Sequence, residues 1–537
     1  MKHHWSLPGL GLAALGVFLL VVAAAGPAGA AEPVPEPEGL PFGPVLTLRQ
    51  ALQKGLEANL NLKMEEVNIP YSQEGVLVQE AVFDPALDAY SFTSQNRDAS
   101  PLFSAPGGVE TLDASEAGAG LSKKFAATGL ESRLGFLTRG VATNSTSVGL
   151  NPYYRNALVL DLTQPLLRDF GRTVNTTDLT ISQNQFAQAR LGFTDQMERT
   201  LLSIELAYYD LAAAEAVLKH RIESRAQAEE LLRGNQEKFK SGVVPITEVQ
   251  EAETAVAQRD ELIVLARQLV ETASNRLADL LEVRPGDALY GQVLRTQAVP
   301  QKWLQQQVPD REHSLSTALT NRSDLRLSKL EVENRQLRLD YQTNQTLPRL
   351  DLESSLAVNG LSGTARSDTY DDGPWSSPYD GDYGQSYNSL ADGDGYGWYL
   401  GLRVTYPLGN RSARARENQA ALEKRRAIYR VKRLEGAIIT EIDNALVSIR
   451  RGLQRVAVAQ RFEDLAQITL TQELKQLAEG LSDTFRILDF QDKLIEARIR
   501  KVAALTDYNK GLAALYRGMG TNLARFDIQM KTQEEKN

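Results

Sequence analysis

The sequence LDLTQPL at Leu160–Leu166 is matched in the second half of the chain by LRVTYPL at Leu402–Leu408. In both stretches, residues that alternate between apolar and polar give way, after Pro165 or Pro407, to a long run with helical periodicity. We therefore predict two strand-to-helix junctions. The segments leading into each half also correspond, so we interpret the chain as two tandem copies of a plan of roughly 240 residues.

The composition restricts the function. Residues 1–30 contain Lys2, an apolar run from Leu10 to Ala25 and the sequence Ala28-Gly29-Ala30, a pattern typical of a cleaved export signal. The 537-residue chain has no cysteine, which excludes disulfides, thiolate metal sites and a lipid-modified cysteine. Its net charge of −9 argues against nucleic-acid binding. We expect an extracytoplasmic protein.

The clearest strand patterns lie in the second half. Leu350–Val358 and Trp398–Tyr406 alternate apolar and polar residues, as expected for two strands of a hairpin with one apolar face. In the first half, Leu158–Leu162 alternates equally well. The partner near Leu87–Thr93 does not, because Tyr90 and Phe92 break the alternation, which leaves open a bulge or a wrong boundary. A further short hairpin within 118–139 also stays open.

Strands of this kind, about 9 to 11 residues long, cross a bilayer when tilted. Four strands cannot close a membrane barrel, since the smallest need about eight. Open sheet edges would leave backbone groups unpaired in lipid. We therefore expect several copies of the chain to share one barrel, with a small soluble sheet as the alternative interpretation.

The helical runs are long. No proline interrupts the chain between Thr177 and Lys240, and apolar residues there form one continuous stripe. The next run has apolar residues at every seventh position, with Arg259 as the polar exception, which indicates coiled-coil packing. These heptad positions are Val249, Val256, Ile263, Val270 and Leu277.

These patterns predict a domain organisation with two repeats. The predicted segments are a signal peptide at 1–30, an unpacked Pro-rich leader at 31–46, repeat 1 at 47–290, an inter-repeat linker at 291–312, repeat 2 at 313–522 with a long extracellular loop at 359–397, and a C-terminal tail at 523–537. The helix of repeat 1 is expected to begin after Thr47 as its N-cap. Asp392-Gly393-Asp394 in the loop lacks the EF-hand spacing, so we expect solvated loop there.

Catalytic and ligand-binding patterns are missing from the sequence. His220 and His313 are isolated from other metal-ligating residues, and no phosphate-binding or dinucleotide-binding fingerprint occurs. We expect no enzymatic activity, no metal and no cofactor.

Two glycines interrupt the long helical runs. Gly242-Val243-Val244-Pro245 precedes the helix start Ile246-Thr247-Glu248-Val249-Gln250, and Gly480-Leu481-Ser482 occupies the corresponding place in the second half. Taken with Tyr208-Tyr209-Asp210-Leu211 and the Pro165 junction, these features, in order over residues 46 to 520, resemble the TolC family of outer-membrane efflux proteins.

The resemblance implies a mainly α fold with membrane β structure. It implies a homotrimer whose twelve strands, four per chain, form one outer-membrane β-barrel continuous with a periplasmic α-barrel of coiled-coil helices. The implied function is passive export through a tripartite efflux or type I secretion system. The implied partners are a periplasmic adaptor (membrane fusion protein) and an inner-membrane transporter, without nucleic acid. The alternative function is a soluble periplasmic adaptor or scaffold.

The resemblance also implies where the channel opens. The adaptor-contact tips correspond to Gly242, Val243, Val244, Pro245, Gly480, Leu481 and Ser482, and the periplasmic entrance corresponds to Thr247, Glu248, Asp483, Arg486 and Asp489. The family's closing Tyr and Arg correspond to Leu477 and Ser482 here, so a different network is needed. Asp483 with Arg486 could supply it, or could be a solvated helix start. We hypothesise that Glu248 and Asp489 set the resistance of the entrance to ions.

Overall fold

The computed structural model describes residues 41–100, 106–297, 309–366, 377–393 and 395–528. The predicted signal peptide, most of the leader and parts of the predicted linker, loop and tail lie outside these residues. The helices are α1 Leu48–Ala58, α2 Leu60–Glu80, α3 Arg172–Asn175, α4 Thr177–Lys240, α5 Ile246–Leu280, α6 Arg311–Asn321, α7 Ser323–Asn344, α8 Tyr383–Asp392, α9 Arg411–Ala478, α10 Thr484–Gly518 and α11 Asn522–Arg525.

Helices dominate both halves, and their lengths correspond. α1 and α6 each have 11 residues, and α5 and α10 each have 35. The predicted helix between Thr177 and Lys240 is confirmed as the 64-residue α4, and its counterpart α9 has 68 residues. At a rise of 1.5 Å per residue, each spans on the order of 100 Å. Among the described residues, no helix is both long and apolar enough to cross a membrane.

The start of the folded chain is partly as expected. Thr47 caps α1 through a reciprocal capping box with Gln50, which confirms the predicted N-cap. The residues before it are not unpacked, however. Strand β1, Phe42–Leu46, pairs in parallel with β6, Val293–Thr296, which falls in the predicted linker. The prediction of an unpacked leader was wrong at these residues, because β1 and β6 satisfy each other's backbone groups.

A second sheet contains six antiparallel strands rather than the expected four. Its order is β2-β3-β4-β5-β7-β8. The bounds are β2 Ala86–Ala99, β3 Val109–Lys124, β4 Glu131–Thr143, β5 Leu150–Pro165, β7 Arg349–Ala365 and β8 Gly395–Thr405. The prediction of four strands per chain was wrong, since the segment left open at 118–139 contributes two long strands. Five of the six strands, at 13 to 17 residues, are longer than predicted, and β8 has the predicted length of 11.

One face of this sheet is apolar. The strand pairing places a large apolar residue of every strand in one row across the sheet. From edge to edge this row consists of Leu87, Leu121, Leu134, Leu160, Leu356 and Trp398. Most of these side chains are exposed in the single chain, and Trp398 is 70% exposed. The prediction that the strands of the second half have one apolar face is thus confirmed. The apolar face also extends across the strands of the first half.

The opposite face carries charges and small residues. Arg133 binds Asp88 at 2.8 Å, and Arg403 binds Glu353 at 2.5 Å. Tyr90 and Phe92 lie on this face, because their pairing with β3 continues without a shift from Ala86 to Ala99. The suspected bulge is absent from β2. The sequence pattern was irregular there because two aromatic residues project from the mostly polar face.

The predicted long loop at 359–397 is shorter and partly helical. β7 continues to Ala365, and α8 packs on the outer end of the apolar face. Asn156, buried on that face, donates a hydrogen bond to Ser386 at 2.7 Å, and the hydroxyls of Thr138 and Tyr383 are 2.5 Å apart. Gly360 is required below α8, since a Cβ there would lie 2.0 Å from the Ser386 carbonyl oxygen.

The helices enclose two main apolar cores. One joins α1, α4, α5 and β6 through buried side chains that include Leu52, Ile204, Tyr208, Leu277 and Leu294. The other joins α6, α7, α9 and α10 through Ala318, Leu325, Ile442, Ile449 and Leu512. The predicted apolar stripes therefore face these cores. Each half builds its own core from its own helices.

Buried charges connect the two halves. Arg517 of α10 binds Asp195 of α4 at 2.9 Å, and Arg525 of α11 binds Glu205 of α4 at 3.0 Å. Glu198 lies among these charges and is almost fully buried. Its burial raises its pKa to about 7, although Arg517 opposes the shift. Protonation of Glu198 therefore favours the folded state.

We expect Glu198→Gln to remove a pH dependence of stability. The ordinary pKa is 4.5, so the folded chain holds a proton on Glu198 that the unfolded chain releases between about pH 4.5 and 7. The stabilisation is complete below pH 4.5, and about 3 kcal/mol is lost as pH rises to 7. This loss of stability is measured from thermal unfolding at pH 5 and pH 8, followed by the circular dichroism signal of the helices.

The control for this measurement is Glu230→Gln, which changes an exposed carboxylate of the same helix. The difference in melting temperature between the two pH values should shrink in Glu198→Gln and persist in Glu230→Gln. An equal pH dependence in both variants would contradict the assignment.

Candidate functional site

At one end of the fold, α4 turns into α5 and α9 turns into α10, which gives a first and a second helical hairpin. We call the two turns the hairpin tips. At each tip a glycine adopts a positive φ, +71° at Gly242 and +76° at Gly480, as the left-handed end of a helix requires. The amides of Val243 and Leu481 then bond back to the carbonyls of Lys238 and Gln476, each at 2.9 Å. The backbone thus turns sharply at both glycines, as predicted from the sequence.

The new helices begin differently after the two turns. Pro245 precedes α5 and provides no side-chain cap. Asp483 caps α10, because its carboxylate accepts a hydrogen bond from the backbone amide of Arg486 at 2.8 Å. The proposed side-chain pair of Asp483 with Arg486 is therefore not formed within the chain. Arg486 instead binds Glu473 of α9 at 3.1 Å.

A buried polar network joins the two hairpins just above the tips. Asn235 of α4 donates a hydrogen bond to the Thr484 hydroxyl at 2.7 Å and to the Glu248 carbonyl at 3.1 Å. The Thr484 hydroxyl in turn donates to the Glu248 carboxylate at 2.8 Å. Asn235 and Thr484 are almost fully buried. This network, Asn235–Thr484–Glu248, ties α4 and the start of α5 to the start of α10.

The other predicted entrance residues are more exposed. Thr247 and Asp489 lie on the surface, and Asp489 binds Lys493 one turn further along α10 at 2.6 Å. An exposed pair of this kind contributes little to stability. Arg259, the polar exception in the heptads, is buried and reaches Asp492 of α10 at 2.9 Å. Of the predicted entrance residues, Glu248 is the one whose described side-chain hydrogen bond reaches the other hairpin.

The tips also expose apolar side chains. Val243 is 71% exposed and Leu481 is 70% exposed, although both stand next to the turns. Ile246 and Phe485, which the sequence did not single out, are exposed beside them. A small apolar cluster of Leu470, Ile487 and Leu494 lies behind the tips within the α9–α10 hairpin, and Leu231 of α4 packs against it. The exposed residues form an apolar surface at the helix ends.

The features that sequence reasoning missed are Asn235, Thr484 and Glu473. Each is polar, lies in a helical stretch and resembles the many exposed polar residues around it. Their partners are distant in the chain, since 249 positions separate Asn235 from Thr484. No local signal identifies such a pair. Among the described residues, no group of three or more His, Asp or Glu is arranged to hold a metal ion.

A sheet with one apolar face, together with paired long helices that end in exposed tips, is the arrangement that the sequence resemblance implies. Residues 132–282 match the model of the family described as outer membrane efflux protein. This match confirms the resemblance to the TolC-like outer-membrane efflux proteins over that part of the chain. A comparison with curated proteins gives no match.

Solved structures of outer-membrane channels share the fold at low sequence identity. The CmeC outer membrane channel of Campylobacter jejuni is 16% identical, with a TM-score of 0.62, covering 88% of this chain and 86% of that one. VceC of Vibrio cholerae is 13% identical, with a TM-score of 0.60, covering 88% and 96%. The open-state MtrE channel of Neisseria gonorrhoeae is 15% identical, with a TM-score of 0.59, covering 90% and 91%. The similar proteins are channels, which fits the expectation of no enzymatic activity.

We expect Thr484→Val to loosen the junction of the two hairpins. The substitution keeps the shape of the side chain but removes both hydrogen bonds of the hydroxyl, so we expect a local loss of about 1 to 2 kcal/mol. Amide hydrogen exchange near the starts of α5 and α10 should become faster. The matched control is Thr471→Val, since the Thr471 hydroxyl bonds only to the Gln467 carbonyl in its own helix in the described contacts. Equal rates of amide exchange in both variants would show that the Asn235–Thr484–Glu248 network does not stabilise the junction.

Proposed function

We propose that three copies of this chain form the outer-membrane channel of a tripartite efflux or type I secretion system. The channel conducts substrate passively from a periplasmic adaptor and an inner-membrane transporter to the exterior. The observation that carries the proposal is the six-stranded sheet, because its apolar row from Leu87 to Trp398 is exposed in the single chain. A row of this kind is stable in lipid and costly in water.

The sheet is physically incomplete in one copy. Its edge strands β2 and β8 have no described partner on their outer sides, and both are exposed along most of their length. Unpaired backbone groups are not tolerated in the hydrocarbon of a membrane. A shared barrel satisfies them and places the charged face, with Arg133 and Arg403, toward water. A soluble scaffold would leave both the edges and the apolar row unexplained.

The helical hairpins form the periplasmic part in this proposal. Their tips would meet the adaptor through the exposed apolar surface of Val243, Ile246, Leu481 and Phe485, together with the predicted contact residues around Gly242 and Gly480. The carboxylates of Glu248 and Asp489 would line the entrance. Charged rings at a constriction act strongly on passing ions, so these positions are suited to control conductance.

Opening would require the first hairpin to move relative to the second. The Asn235–Thr484–Glu248 network is then the contact to be broken within each copy. A net contribution of about 1 kcal/mol for each hydrogen bond is small enough for a partner protein to offset. An adaptor that binds the tips more tightly in the open state would shift the equilibrium toward opening.

Reconstitution into planar lipid bilayers tests the channel and its entrance. The wild-type protein should be recovered from outer membranes as an oligomer and give discrete conductance steps. We expect Glu248→Ala and Asp489→Ala to change the conductance, because each removes one carboxylate per copy from the entrance. Unchanged conductance in both variants would exclude these residues from the constriction. A protein that washes free of membranes and conducts nothing would contradict the channel itself.

A separate variant tests the tips. We expect Val243→Asp to weaken binding to the adaptor, since it places a charge in the exposed apolar surface, while the conductance of the isolated channel stays near the wild-type value. Val243→Thr, similar in shape, is the control and should bind nearly as well. Affinity is measured with the purified cognate adaptor, identified by crosslinking in cells. If Val243→Asp bound the adaptor as tightly as the wild type, this surface would not be part of the adaptor interface.

A further inference from the structure

The strands β3 and β4 form a hairpin in the middle of the sheet. Their pairing runs without a break from Leu112 with Thr143 to Lys124 with Glu131. β3 also pairs with β2 along the whole of β2, and β4 pairs with β5 from Glu131 to Val141. The hairpin is therefore an integral part of the six-stranded sheet and not a loop folded over it.

The hairpin has the same two faces as the rest of the sheet. Leu121 and Leu134 continue the apolar row between Leu87 and Leu160. On the other face, Arg133 of β4 forms its ion pair with Asp88 of β2, reaching across β3. The side chains of β3 and β4 thus fit both a lipid-facing and a water-facing surface, as a barrel wall requires.

The strand directions allow identical copies to join. All five pairings in the sheet are antiparallel, so the six strands alternate in direction and the two edges, β2 and β8, run opposite to each other. β8 of one copy can therefore pair in antiparallel fashion with β2 of the next. An even number of strands per copy keeps this alternation when the ring closes.

We propose that each copy contributes six strands to the shared barrel, so that three copies close an eighteen-stranded wall. This inference rests on the proposed trimeric channel and departs from the four strands per chain that the family resemblance implies. Strands lie about 4.8 Å apart and tilt by about 40° in barrels, so eighteen strands enclose a backbone cylinder of about 36 Å diameter, against about 24 Å for twelve.

The interior of this wall carries mostly small side chains beside the apolar row. The row next to the apolar one consists mostly of small residues on the water-facing side: Asp88, Gly120, Gly135, Val159, Ala357 and Gly397. α8 lies on the apolar side and so does not narrow the lumen. The backbone cylinder is about 1.5 times wider than that of a twelve-stranded barrel, so wider solutes would pass. Selection by size would then fall to the periplasmic entrance.

Single cysteines in β4 test whether the hairpin lines the lumen, since the chain has none of its own. Leu134 and Gly135 are neighbours on opposite faces, and a Cβ at Gly135 meets no atom within 4 Å. In the reconstituted trimer, a charged thiol reagent should react with Gly135→Cys and lower the conductance. Leu134→Cys, facing lipid, should react at least tenfold more slowly and leave the conductance unchanged.

Electron microscopy of the same trimer in lipid nanodiscs counts the strands directly. Eighteen strands with face-selective labelling support the inference. Twelve strands, or equal labelling of Leu134→Cys and Gly135→Cys in a conducting trimer, would overturn it and leave the channel proposal intact. A preparation that neither forms trimers nor conducts would overturn the proposed function, and this inference with it.

Discussion

The unpaired backbone amides and carbonyls at the edges of the six-stranded sheet are the constraint on which the remaining structure depends. β2 and β8 each present a row of amides and carbonyls to the outside. In water these groups would be solvated, but the apolar face beside them, with Leu87 and Trp398 at its two ends, belongs in lipid. In the channel proposed above, both demands are met together because identical sheets close into a ring.

The helical portion follows from this closure. In the proposed channel, β5 and β8 lead into long helices at the Pro165 and Pro407 junctions, so a ring of sheets becomes a ring of helices, 64 and 68 residues long. Each half keeps its own apolar core, and buried charge pairs such as Arg517 with Asp195 join the halves. The tips can then move as hairpins while the cores stay intact, since the contacts between the hairpins there include the small polar network at Thr484 and the ion pair of Arg259 with Asp492.

The sequence predicted the long elements well, because their signals are local and repeated. The uninterrupted stretch from Thr177 to Lys240 and the tip glycines are examples. It left the hairpin of β3 and β4 open, since residues such as Gly118, Gly120 and Ala119 are small on both faces and weaken the alternation. It missed α8 because the helix is short and lies in a segment rich in Asp, Gly, Tyr and Ser. The contacts of Thr484 join distant parts of the chain, which no local pattern records.

The most direct test of the account is disulfide crosslinking between the two sheet edges. One cysteine is placed in β2 and one in β8 of the cysteine-free chain, and the pairs are scanned for register. For pairs in register, the account predicts covalent dimers and trimers, with crosslinks that always join different copies. Crosslinks that close within a single chain, or a monomer that stays unlinked in every register while inserted in membranes, would contradict it.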